Sequence, residues 1–160
     1  LSLLEASYII RTLRPYYRNF GKRFIKSPKI YFTETGLVCS LLGIKSAEQV
    51  ATHPLVGSIF ENMVVMESVK RRLNRGDADD VYFMRTSHGV EVDLVAEADG
   101  MPSLCEIKAG STFHDDMAHN LRAMSGLIHG ETGKRTVVYC GRETSTQDGI
   151  QVVSFLDFSI

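Results

Sequence analysis

The chain has 160 residues, with 18 Lys or Arg against 19 Asp or Glu and a formal net charge of −1. Hydrophobic residues make up 44% and charged residues 23%, as expected for a globular domain with its own core. No apolar run approaches the roughly 18–20 residues of a membrane span, so we expect no membrane partner. Three scattered cysteines without zinc-site spacing favour free thiols and a cytoplasmic location. The chain begins at Leu1 without a signal-peptide pattern, and we expect it to be part of a longer protein.

The small net charge conceals a basic stretch between residues 11 and 29, which holds seven bases, no acid and several aromatic side chains. Bases interleaved with aromatics suit a phosphate backbone, and this predicts a nucleic-acid-binding segment. A solvated helix face followed by a basic linker explains the pattern equally well. The candidate residues are Arg11, Arg14, Arg18, Lys22, Arg23, Lys26 and Lys29.

Helical spacing of apolar residues predicts a first helix over residues 1–13, which Pro15 ends or bends. Residues 29–32 have strand character and run through a turn into a short helix that reaches Leu42. Residues 43–53 are expected to be loop with a helical turn.

A long amphipathic helix is predicted from about Pro54 to the cations that precede Gly76. Short turns then indicate an antiparallel meander of three strands. The remaining predicted elements are strands over 81–85, 91–97 and 103–108, a helix over 113–127 with Ser111 or Thr112 as N-cap, and strands over 135–140 and 150–155.

This order predicts an α/β fold in which a mixed sheet is flanked by helices. We assign residues 1–50 to a helical, basic lead-in, or the tail of an upstream winged-helix region. Residues 51–160 are assigned to the main domain.

Acidic residues recur at positions whose neighbours are apolar. Asp93 lies between Val92 and Leu94 in one predicted strand, Glu106 and Lys108 share a face of the next, and Glu61 lies within the long helix. Acids are rarely buried unless they are paired or bound to metal. We therefore expect the acids to hold Mg²⁺ or Mn²⁺ and the lysine to position water or stabilise negative charge. A surface hairpin with a cross-strand ion pair is the alternative explanation.

The combination of Glu61, Asp93 and Glu106-Ile107-Lys108 resembles the PD-(D/E)xK nuclease superfamily, which includes restriction endonucleases. The resemblance implies a restriction-endonuclease-like fold in which the three acids bind the metal and Lys108 assists the hydrolytic water. It also implies that the backbone carbonyl of Ile107 is a further metal ligand.

A second resemblance covers nearly the whole chain. The sequence is similar to the uncharacterised C-terminal domain of a widespread prokaryotic family of AAA-type ATPases. It departs from these families at Val92, where the superfamily often has proline, and at Glu34, where the ATPase family usually has Asp. The similarity implies an ATPase module upstream in the same full-length chain. This chain has no P-loop motif, so we do not expect it to bind ATP through one itself. The similar stretches are Lys22 to Phe32, Thr35 to Leu37, Gly57 to Asn62, Glu91 to Asp93 and Cys105 to Lys108.

The leading hypothesis is a metal-dependent nuclease domain that hydrolyses nucleic-acid phosphodiesters, with DNA as the expected partner. Two alternatives stay open. The first is a catalytically silent nuclease-fold module that binds DNA or a protein partner. The second is a structural domain that makes the ATPase a homo-oligomer.

Overall fold

The computed structural model describes residues 1–16, 24–98, 100–128 and 132–158. Within these ranges, helices pack on both faces of a mixed β-sheet. The elements in chain order are α1 Ser2–Ala6, β1 Ile10–Pro15, β2 Lys29–Phe32, α2 Thr35–Leu41, α3 Ala47–Thr52, α4 Val56–Arg75, β3 Val81–Arg85, β4 Glu91–Ala98, β5 Met101–Lys108, a 3₁₀ helix Asp115–Ala118, α5 His119–Ser125, β6 Arg135–Tyr139, β7 Ser145–Gln147 and β8 Ile150–Ser154.

Eight strands of the described ranges pair in the order β2-β1-β3-β4-β5-β6-β8-β7. The strands β3, β4 and β5 form the predicted antiparallel meander. The pairs β1–β3, β5–β6 and β6–β8 are parallel. The predicted mixed α/β sheet flanked by helices is confirmed.

The two faces of the sheet bury separate cores. On β4, Leu94 packs in one core and its neighbour Val95 packs in the other, as the alternation of a strand requires. Val64 and Val65 of α4 belong to the core of Leu94, whereas Leu121 of α5 belongs to the core of Val95. Thus α4 covers one face and α5 the other. None of the described helices is long and apolar enough to cross a membrane.

The predicted helix over residues 1–13 is wrong beyond Ala6. Tyr8 has a φ of 56°, which breaks the helix, and Ile10–Pro15 forms β1. β1 pairs with β2 on one side and β3 on the other, so its backbone groups find partners in the sheet. Pro15 therefore ends a strand, and tertiary pairing outweighs the helical spacing of the apolar residues.

The predicted helix over 113–127 is shorter and begins later. A 3₁₀ turn precedes α5, and the N-cap positions are His114 and Ala118 instead of Ser111 or Thr112. The carbonyl of Gly110 accepts from the Cys140 N–H at 3.0 Å, which keeps the preceding loop beside the end of β6. The strand β7 was not predicted, because all its residues are polar and exposed.

The lead-in contributes to the main sheet. β1 and β2 form one end of it, and Leu13 and Tyr31 are buried in the core that α4 covers. The division at residue 50 stays a prediction, but these strands lie against the long helix that carries Glu61.

Candidate metal centre

The long helix α4 presents Glu61 to the sheet. Asn62 fixes this helix to the end of β2, since its Oδ1 accepts from the Phe32 N–H at 2.8 Å and its Nδ2 donates to the Phe32 carbonyl at 2.9 Å. The hydroxyl of Tyr31 donates to Glu61 Oε1 at 2.6 Å. The predicted helix acid is thus held by the lead-in strand β2.

A β-bulge places Asp93. Val95 pairs with Tyr82 and Val92 with Met84, so Asp93 and Leu94 together stand opposite one residue of β3. Val92 and Val95 pack in the core that α5 covers, whereas Leu94 packs in the core that α4 covers. The extra residue therefore interrupts the alternation of side chains between the two faces of β4.

The strands β4 and β5 part beside Asp93. Their pairing runs from Ala98–Met101 to Leu94–Cys105, and beyond it Asp93 Oδ2 accepts from the Ile107 N–H at 2.9 Å. Asp93 is only 9% exposed. The backbone of Ile107 thereby touches the site through its N–H, and metal ligation by its carbonyl stays a prediction.

Glu106 is more deeply buried, at 2% exposure. Its Oε1 accepts from Lys108 Nζ at 2.6 Å and from Asn120 Nδ2 of α5 at 3.1 Å. Among the described residues it has no hydrogen-bond donor for Oε2, although that oxygen is buried. A buried carboxylate oxygen without a donor is costly for the metal-free protein.

A second acid of β4, Glu91, joins the site. Within the described part of the chain, Glu61, Glu91 and Asp93 each offer a carboxylate oxygen, and these oxygens lie within 4.8 Å of one another. Glu106 is outside this group. Arg85 forms an ion pair with Glu91 on its far side.

The ammonium of Lys29 lies among these three acids. Its Nζ is paired with Glu61, lies 2.6 Å from Glu91 Oε1 and lies 3.8 Å from Asp93 Oδ1. The side chain is 15% exposed. Lys29 is also one of the predicted nucleic-acid contacts, and the structure places its ammonium among Glu61, Glu91 and Asp93, a cluster that we call the acidic centre.

Burial, together with the negative charges of Glu106 and Glu61, raises the pKa of Asp93 to about 8. Lys29 and the Ile107 N–H oppose this rise only in part. Asp93 thus holds a proton near neutral pH unless a cation compensates its charge.

Burial also raises the pKa of Glu106, even though Lys108 and Asn120 hydrogen-bond to its charged form. Burial by itself would raise the pKa of Glu91, but hydrogen bonds from Arg85 and Lys29 outweigh it and lower that pKa. The two most buried acids are therefore the two whose negative charge is least compensated.

The predicted basic residues have different surroundings. Arg11 is paired with Asp79, and Arg14 is exposed on β1. Lys26 is exposed and has a partner within the chain. The candidates that lie outside the described residues are Arg18, Lys22 and Arg23.

The candidate residues chosen from the sequence did not include site roles for Lys29, Tyr31, Glu91 and Asn120. A signal was present for three of these four, because Lys29-x-Tyr31 and Glu91-x-Asp93 place polar groups two apart on strands. The contact of Asn120 with Glu106 joins residues 14 apart and has no local signature.

A family model described as "Domain of unknown function (DUF4143)" matches residues 56–158, which is more than half of the chain. This chain belongs to the DUF4143 family. A second model, also described as a domain of unknown function (DUF8612), matches residues 1–48.

Two mycobacterial relatives align with this DUF4143 chain. They are the uncharacterized protein Mb2031c of Mycobacterium bovis and the uncharacterized protein Rv2008c of Mycobacterium tuberculosis. Each is 33% identical over 141 residues, which cover 88% of this chain and 30% of the relative. The chain thus spans less than a third of the length of these relatives. No solved structure matches it significantly.

The acidic centre crosses the boundary between the two matched segments. Its acids lie within the DUF4143 match, whereas Lys29 and Tyr31 lie within residues 1–48. The two segments together therefore form one polar site.

Proposed function

We propose that this chain is a metal-dependent nuclease-like domain that hydrolyses nucleic-acid phosphodiesters. The observation that carries the proposal is the pair of buried acids, Asp93 and Glu106, and Glu106 has a buried oxygen for which the described part of the chain offers no donor. Carboxylates of this kind are the oxygen ligands that Mg²⁺ and Mn²⁺ accept. Their uncompensated charge fits a divalent cation better than a purely structural ion pair.

The residues that would hold the cation are Glu61, Asp93 and Glu106, with the Ile107 carbonyl as the fourth ligand that the superfamily resemblance implies. When bound, such an ion polarises a phosphodiester and lowers the pKa of an attacking water. Lys108, whose ammonium lies 2.6 Å from Glu106, keeps that carboxylate in place and supplies positive charge beside the reacting phosphate. Burial lowers the pKa of Lys108, but the carboxylate of Glu106 more than reverses this and leaves it raised. Lys108 thus acts as a charged donor.

We propose DNA as the substrate, since the basic stretch of the lead-in carries exposed Arg14 and further bases suited to a phosphate backbone. In the full-length protein we propose that an AAA-type ATPase precedes the domain and gives it access to the nucleic acid. The ATPase-family similarity supports this context, and the greater length of the relatives leaves room for such a module.

A cleavage assay tests this proposal. The wild-type chain is incubated with supercoiled plasmid, single-stranded DNA and RNA, in Mg²⁺, in Mn²⁺ or in EDTA. We expect metal-dependent cleavage that Glu106→Gln lowers by at least about 100-fold, since metal stabilisation of charge is worth several kcal/mol and 1.4 kcal/mol is tenfold. The matched control is Glu67→Gln, an exposed acid of the same helix as Glu61 that pairs with Lys70. Equal cleavage by Glu106→Gln and wild type would contradict the proposal.

A catalytically silent module is the second candidate function, and the ion pairs of Lys29 with three site acids favour it. In that case the ammonium serves as a permanent structural counter-ion. Salt-sensitive DNA binding that EDTA does not change, with no cleavage of any substrate, would support this function over the first.

A further inference from the structure

The position of Lys29 has a consequence for metal binding. Its ammonium contacts Glu61, Glu91 and Asp93, and two of these acids are the proposed metal ligands. Magnesium binds carboxylate oxygens at about 2.0–2.1 Å, closer than an ammonium approaches them. A divalent cation between Glu61 and Asp93 would therefore occupy the place of the ammonium, and the two positive charges would repel each other.

The surroundings of Lys29 offer the side chain another position. A cavity of about 300 Å³ opens beside it. This cavity is lined by residues of β2, α2 and α4, among them Tyr31, Phe32, Val38 and Glu61. The lysine stem is flexible, and its apolar carbons can pack along such a wall while the ammonium points towards solvent.

We propose that Lys29 is an internal counter-ion that a divalent cation displaces, so that this residue sets the metal affinity of the site. The inference rests on the proposed metal site. In the metal-free protein the ammonium pairs with Glu61 and Glu91 and lies beside Asp93. In the metal-bound protein it is released towards the cavity and lies at the edge of the site, where an anionic substrate arrives.

The first test measures Mn²⁺ binding calorimetrically in the wild type and in Lys29→Met, which keeps the length of the side chain and removes its charge. We expect Lys29→Met to bind Mn²⁺ at least about tenfold more tightly, because the cation no longer competes with the ammonium. The expected thermal shift on metal addition is larger in the variant, since its metal-free form has uncompensated acids. Lys29→Arg keeps the charge and should bind within a few-fold of wild type.

The matched control is Lys70→Met. This lysine lies on α4 and pairs with Glu34 and Glu67 outside the site, so its loss should leave the Mn²⁺ affinity unchanged. Equal or weaker Mn²⁺ binding by Lys29→Met, beside normal binding by wild type, would overturn the displacement and leave the metal site standing. Absence of binding in both proteins would overturn the proposed function together with this inference.

A second measurement needs no variant at Lys29. Wild-type protein is treated with an amine-acylating reagent with and without saturating Mn²⁺, and peptide mass spectrometry quantifies the modification of each lysine. We expect the labelling of Lys29 to increase several-fold on metal binding while that of Lys70 stays constant. Equal protection of Lys29 in both states would refute its displacement even if Lys29→Met did not fold.

Discussion

Replacing Asp93 by asparagine should stabilise the metal-free protein at neutral pH. The folded protein raises the pKa of this carboxyl to about 8, whereas an unfolded Asp titrates at about 3.9. Between these values the native state binds a proton that the unfolded chain has lost. The free energy of unfolding therefore falls as pH rises through this window, by up to about 1.4 kcal/mol per pH unit, and levels off above the folded pKa.

The variant removes this titration and keeps an acceptor for the Ile107 N–H. Between pH 6 and pH 7.5 the free energy of unfolding of the wild type should fall by up to about 2 kcal/mol more than that of Asp93→Asn. The assay is urea denaturation in EDTA at several pH values, with the slope of unfolding free energy against pH compared in the two proteins. Burial also raises the pKa of Glu106, which acts in the same direction in both proteins. Identical slopes in wild type and variant would refute the reasoning that Asp93 is an uncompensated buried acid.

Three further predictions concern metal binding and the fold around the site. Mn²⁺ should bind up to about tenfold more tightly at pH 7 than at pH 6, because the pKa of Asp93 is raised to about 8 and the cation must displace the proton of this carboxyl. Titration calorimetry at both pH values measures this. Asn62→Ala should lower the free energy of unfolding by about 2–3 kcal/mol, since it leaves both backbone groups of Phe32 without the partners that they have at 2.8 and 2.9 Å. Gly76→Ala should lower the free energy of unfolding by about 1 kcal/mol, because Gly76 caps the C-terminus of α4 with a φ of 79°. Urea denaturation checks both variants.

A different result would refute each of these three predictions. A pH-independent Mn²⁺ affinity would show that the ligands are already ionised in the metal-free protein. An Asn62→Ala variant as stable as wild type would show that the contact with Phe32 does not fix α4 to β2. Unchanged stability of Gly76→Ala would show that the left-handed conformation after α4 does not require glycine. The control is Gly57→Ala, because a Cβ at Gly57 of α4 would meet open space.

Patterns with a local cause predicted much of this fold. The long helix before Gly76 has an apolar stripe, terminal cations and a left-handed cap, and these signals agree with one another. The meander of β3 to β5 likewise follows from its short turns. Glu61, Asp93, Glu106 and Lys108 were chosen because acids stood among apolar neighbours, and the structure buries Asp93 and Glu106 as that reasoning expected.

Features with a long-range cause were missed. Residues 10–15 form a strand because two other strands pair with them, one of which starts more than 60 residues later. The bulge at Asp93 depends on the register between β3 and β4, and no local sequence pattern in either strand predicts that register. Lys29 looked like one base of a basic stretch, since its three acidic partners are brought to it by α4 and β4.

The central claim is that the buried acids of this chain bind a divalent cation. Calorimetric titration of Mn²⁺ into the purified chain, beside Glu106→Ala, tests it most directly. We expect the wild type to bind Mn²⁺ and the variant not to bind it, because the variant lacks the buried carboxylate whose Oε2 has no donor among the described residues. Undetectable binding by the wild type, or equal binding by both proteins, would contradict it.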